Sequence, residues 1–358
     1  MCGVFSGGKM AAAAGAPPQA TPVLGVVSTL IEEVAAIGSI AWAGRGAGNR
    51  LVYDEVVLFE PGSSNRLFPR LLGGSRTLEG LDRFLPKDAV SGCASAGCDP
   101  LAAYDGLLEA VGNVDGSAKV LEAWQGFQAK FGFDLRADLL AWLSGEHVSV
   151  RVPSSRPGLF GDTTGVHLFK VKNPAEASGR IESLLGKAAA FLRDRGQEMR
   201  IEPATGAEGL RTISIEAFPN CRPVVGVRGD WLVLAGSAEA AAKVWAAKEG
   251  KAPGIGESER FRALGLGIDG PVGSISYADV EGELEGFAQL LSGAGFFLSM
   301  LPRDKDTEPV LKAGVILTKL GRFFREIDVE RDRGGFTRPL KGAEGVHVRT
   351  VSTFRRAG

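Results

Sequence analysis

Reactive side chains are scarce in this sequence. Its 358 residues include three histidines (His147, His167 and His347), four cysteines and three tyrosines. Charge of one sign is missing too. Basic residues number 41 and acidic residues 42, a formal net charge of -1, so nothing draws the chain toward nucleic acid or an anionic membrane surface. No apolar run is both long and uninterrupted. The best window, residues 22–44, carries Glu32 and Glu33 at its centre. That pair is too costly in hydrocarbon for a span, so the expectation is an amphipathic helix and no transmembrane segment. Residues 1–21 are rich in small side chains, are expected to be disordered, and lack the leucine-rich core of an export signal.

The cysteines, Cys2, Cys93, Cys98 and Cys221, form neither a CxxC pair nor a metal knuckle. Free thiols are the leading reading, with a local Cys93–Cys98 bridge the alternative in an oxidising compartment.

What the sequence has is structure-building pattern. Apolar residues make up 44% of it, enough for a sizeable core, and 50 glycines with 18 prolines imply many turns and short elements. Residues 49–59, "NRLVYDEVVLF", read as a strand ending in a turn. Asp99 followed by Pro100 opens a helix over 99–111. Val120, Trp124, Phe127 and Phe131 form a helical stripe expected to face a core. From Gly145 the period changes to two, with Val148, Val150 and Val152 inward and His147, Ser149 and Arg151 toward solvent. A strand at 164–172 leads to a helix capped by Asn173, and strands at 210–218, 222–229 and 231–237 include a tight hairpin at Gly229–Asp230.

The pattern then recurs. Residues 271–291 echo 89–108, and two C-terminal segments echo the N-terminal ones, each a helix followed by two strands. The fold expected is α+β: repeated antiparallel sheet units with amphipathic helices packed on one face. The divisions are a disordered 1–21, a helix and hairpin over 22–83 that pairs with the C-terminal unit, a central unit over 84–268, and a second, related unit over 269–358.

The segments "FDLRADLLAWLSGEHVSVRV", "VKNPAEASGRIESLLG", "VRGDWLVLAGSAEAAAKVW" and "GSISYADV" together resemble the DUF3352 family, bacterial proteins of unknown function. The likeness covers roughly residues 84–291 and is weaker beyond. It implies the cell envelope or periplasm, a location at odds with the missing export signal; a cytoplasmic variant or a truncated start are the alternatives. It supplies no catalytic residues.

Chemistry finds little to hold. The stretch "GDWLVLAGSAEAAAKVW" (229–245) has the strand–turn–helix outline of a nucleotide site, but Gly236 stands alone in its turn and no phosphate-loop spacing is present. Ser237 reads as a helix cap. The three histidines lie in separate strands without metal-ligand spacing: His147 on an outer face, His167 partly buried beside Phe169, His347 on an edge. Arg45 and Arg50 read as solvated, Asp138 and Glu146 as capping and strand-start acids, and Asp304, Asp306 and Glu308 as a charged surface loop. No catalytic, cofactor or metal residue is assigned. The role expected is structural or protein-interacting, with another protein or the chain itself as partner and no nucleic acid. A small-molecule or lipid carrier, or a cryptic hydrolase with a pocket between the units, is the alternative.

Overall fold

A computed structural model describes residues 37–63, 69, 77–78, 80–97, 99–112, 117–158, 161–217, 221–299, 308–326 and 330–354. The reading of 1–21 as disordered, and residues 22–36 of the predicted first helix, lie outside them. The described strands are β1 (Ile37–Ala47), β2 (Arg50–Phe59), β3 (Ser91–Ser95), β4 (Leu143–Gly158), β5 (Gly161–Val171), β6 (Met199–Pro203), β7 (Leu210–Ile215), β8 (Val224–Arg228), β9 (Trp231–Ala235), β10 (Ser274–Asp279), β11 (Glu330–Pro339) and β12 (Gly345–Phe354). They form one mixed-in-sequence, wholly antiparallel sheet of twelve strands in the order β1-β2-β12-β11-β10-β3-β4-β5-β9-β8-β7-β6. The described helices are α1 (Pro100–Gly112), α2 (Ala118–Phe131), α3 (Leu135–Asp138), α4 (Pro174–Arg193), α5 (Ala238–Lys248), α6 (Glu259–Leu264), α7 (Val280–Ser299) and α8 (Glu308–Glu326). The α+β class with antiparallel pairing is therefore as expected.

Strands β3 and β10 pair at the middle of the sheet, with Cys93 opposite Ser276. Outward from Cys93, the row of partners runs through Ser149, His167, Leu234 and Val225 on β4, β5, β9 and β8. Outward from Ser276 it runs through Gly335, Thr350, Tyr53 and Gly44 on β11, β12, β2 and β1. Among the described strands, only the first side continues, into β7 and β6. Strand β2 pairs with β12, so residues from the two ends of the chain share one ladder.

Two expectations are corrected. Residues 37–47 are a strand and not the end of a helix. Alanines at 41, 43 and 47 suit a helix, but a tight turn with Gly48 at φ 62 folds the segment back on β2, and ten residue pairs decide the outcome. Helices also lie on both faces of the sheet. Alternation sends Val148, Val150, Val152 and Val233 to a front core with Ala240, Val244 and Trp245 of α5 and Phe261 and Leu264 of α6. Val171, Val225 and Leu232 point the other way, to a back core with Ala177, Ile181 and Leu185 of α4.

Local signals worked at the helix starts. Asp99 Oδ1 accepts from Leu101 N and Ala102 N, Asn173 Oδ1 from Glu176 N, and Ser237 Oγ from Ala240 N, at 3.0, 3.2, 3.3 and 3.2 Å. The α2 stripe does not face a core. Val120 and Phe127 are about half exposed, and Trp124, Phe127 and Phe131 instead stack in a ladder that reaches Phe191 of α4, the last ring pair 4.1 Å apart.

Candidate functional site

The histidines are not brought together as a reactive group. His147 and His167 lie on the back face and His347 on the front, as their strands' alternation requires. His147 is half-buried and stacks on Phe169 with ring centroids 6.3 Å apart, so it does not sit on an outer, solvated face. Burial pushes its pKa down, and His167 adds to the effect, which favours the neutral ring. His167 is exposed rather than tucked beside Phe169. His347 is not on an edge, because β2 covers that side of β12. The nearby acids have structural partners. Glu146 holds Lys170 at 2.9 Å, and Asp138 Oδ2 accepts from Asp134 N at 2.8 Å.

Cys93 and Cys221 are free thiols, and burial pushes the Cys93 thiol up, away from the reactive thiolate. Cys98 and residues 301–307 of the acidic loop lie outside the described residues; Glu308 pairs with Lys312 at 2.8 Å. At the glycine corner, β8 and β9 are an antiparallel hairpin, and Gly236 N donates to Gly165 O at 2.9 Å. Ser237 and Glu239 border an open groove of about 290 Å³ that also touches Ser154, Thr205 and Arg222. Among the described residues no group of three or more His, Cys, Asp and Glu is placed to hold a metal ion, and no helix is long and apolar enough to cross a membrane.

Sequence reasoning missed two ionic clusters on the front face, both built around α6. Asp332, only 3% exposed, accepts from Tyr277 Oη at 2.9 Å and from Thr353 Oγ1 at 3.3 Å. Arg260 of α6 lies 2.7 Å from the same carboxylate and forks onto both oxygens of Asp279, at 2.6 and 2.7 Å. Burial and the Asp332 charge push the Tyr277 phenol up, so it stays a donor. At the other end of α6, Arg50 is no solvated side chain. Its Nη2 donates to Leu264 O at 2.5 Å, and Arg349 Nη1 reaches Leu266 O at 3.4 Å. Arg349 also donates to Asp54, at 2.6 and 3.2 Å, and His347 Nε2 lies 3.0 Å from Asp54 Oδ1. The Arg349 hydrogen bonds hold the Asp54 carboxyl below the usual carboxylate range. Most polar atoms of these clusters pair with one another, while the buried Nε atoms of Arg50 and Arg260 make no hydrogen bond among the described residues, and the arrangement fastens α6 to β2, β10, β11 and β12.

Two exposed apolar surfaces stand out among the described residues: helix α8, where Val315 is 51%, Ile316 57% and Leu320 40% exposed, and the β1 end of the sheet. Ten of the eleven residues of β1 are exposed. Trp42 is 74% exposed, Ile40 51% and Tyr53 41%; alternation puts all three on the back face, beside buried Val57, Phe59 and Val346. The outer edge of β1 pairs with no described strand. Phe59 N donates to Glu344 O, so odd-numbered residues of β2 bond toward β12 and even-numbered ones toward β1. The register, with Val52 opposite Arg45, then leaves Ile40, Trp42, Gly44 and Gly46 with their peptide groups directed outward. A long edge that carries exposed apolar side chains is a template for pairing with another strand. Its sequence signal was present in the alternation Ile40, Trp42, Gly44 but was hidden by the alanines between them.

Comparison with models of protein families gives no match, and comparisons with curated proteins and with solved structures give none either.

Proposed function

We propose that this chain is a structural, protein-interacting component that works through the β1 end of its sheet, in the bacterial cell envelope if the likeness to the DUF3352 family carries location with it. The single observation that supports the reading is the bare edge itself: exposed Trp42 and Ile40 beside outward peptide groups, where a solitary protein gains from charge, proline or cover. The buried carboxylates and arginines serve to hold helix α6, so this reading draws its binding energy from the exposed edge.

The same reading takes the sheet as two related units. It is supported by the matching strand orders on either side of β3 and β10 and by the straight partner rows through them. In that scheme the hairpin β1–β2 corresponds to β8–β9, a different match from the one the sequence echo suggests.

The test is the native mass of the protein in gently prepared extracts of cells that make it. Assembly above the 37.5 kDa of one chain is expected, with release to that mass by Trp42→Lys and no change with Phe127→Lys on α2. A wild-type chain running as a monomer, or an assembly indifferent to Trp42→Lys, overturns the proposal.

A further inference from the structure

We infer that the partner at β1 is a second copy of this chain, paired antiparallel about a two-fold axis that passes by Trp42, so that two sheets continue as one. The inference rests on the interaction reading above and names its partner.

Three features point to self-pairing. First, an identical edge meeting itself about a dyad normal to the sheet is antiparallel by necessity, and every strand pair in this sheet is antiparallel. With Trp42 opposite its own copy, Ile40 falls opposite Gly44, and all of these residues direct their peptide groups outward, so the ladder closes without an orphan donor. Second, the side chains are self-complementary. The bulky Ile40 meets a glycine, the two Trp42 rings meet across the axis on the back face, and Arg45, the one charged residue of β1, faces Ser39 and not another arginine. Third, the net charge of -1 sets up no long-range repulsion between copies.

The matching half of the sheet indicates how such an edge is completed. There, β8 is paired by β7, and α4 covers the back face through Ile181 and Leu185 on Val225 and Leu232. The β1 side has no described strand in the place of β7, and Trp42 of β1 is 74% exposed where Val225 of β8 is 8% exposed. A second β1 supplies the strand, and its Trp42 and Ile40 supply apolar cover.

The experiment is sedimentation equilibrium on the purified full chain, with amide hydrogen exchange read at residues 40–46. Small strand-edge interfaces associate in the micromolar regime, so the range should extend to roughly 100 µM. The expected result is twice the mass of one 37.5 kDa chain at the upper end, with slowed exchange of Ile40, Trp42 and Gly44 that grows with concentration. Trp42→Lys, which sets two ammonium groups against each other, and Gly44→Pro, which removes one outward donor while leaving the β2 ladder intact, should both restore the monomer. Glu202→Lys on the opposite edge should not. A monomer throughout, a dimer that survives both β1 variants, or protection that is independent of concentration, as an intramolecular occupant would give, each overturns self-pairing. If the purified chain is monomeric while Trp42→Lys still dissolves the assembly in extracts, the interaction reading stands and only the identity of the partner fails.

Discussion

The two ends of the sheet solve the same physical problem differently. Strand β6 has five residues, carries Arg200 and Glu202, and stops at Pro203, while Met199 and Ile201 pack under α4. Short length, charge and proline all discourage a further strand. Strand β1 has eleven residues, one arginine, no proline and, among the described residues, no helix over Trp42. One edge is protected and the other is covered by no described strand, so the described sheet has a direction in which it can grow.

The contrast extends inward. The β6 side is held by apolar packing on both faces, whereas the β1 side adds, in front, arginines that clamp α6 to the apolar packing of Phe261 and Leu264. Replacing Trp231 of β9, 3% exposed, by alanine should therefore cost the most, about 3–5 kcal/mol in urea unfolding. A loss below about 1 kcal/mol would erase the claim that packing dominates that side. Asp332→Ala should come next, at roughly 3 kcal/mol, because Arg260 and Tyr277 are left without their buried acceptor. Asp332→Asn, which keeps an acceptor, should cost less.

Smaller effects are expected with pH. Asp54 has a lowered folded pKa, so its contribution is complete above the unfolded value of about 3.9 and is lost as pH falls through the folded one. Asp54→Asn should flatten the acid limb of the urea midpoint against pH. His147 is also lowered, so its environment costs nothing above about 6.5, and stability declines as pH falls from there through the depressed folded value. His147→Gln should remove that part of the slope. The smallest effect belongs to Trp42→Ala in the monomer, within about 0.5 kcal/mol despite the size of the ring, since the side chain is 74% exposed. A large loss there would mean that Trp42 supports its own sheet, and the two ends would no longer differ in kind.

Much of this architecture was legible in the sequence where its causes are local. The caps at Asp99, Asn173 and Ser237, the valine alternation of β4 and the Gly229 hairpin all depend on neighbours a few residues away. Strand β6 was missed because "MRIEP" is short and charged, and it is a strand only beside β7. Strand β1 was misread because its alanines favour a helix until β2 is in place. The clusters at Asp332 and Asp54 were invisible for a related reason. Each carboxylate is ordinary in its own strand and acquires meaning from an arginine contributed by a distant segment.

The ladder between β2 and β12 sets a timetable for the chain. Asp54 and Arg349, which meet across it, are separated by 295 positions. At ribosomal speeds of roughly 5–20 residues per second, the hairpin made first must wait on the order of fifteen seconds to one minute for the strand that will lie against it. During that interval it is open on both sides, so a nascent molecule offers strangers two docking edges where the finished one offers a single edge at this end.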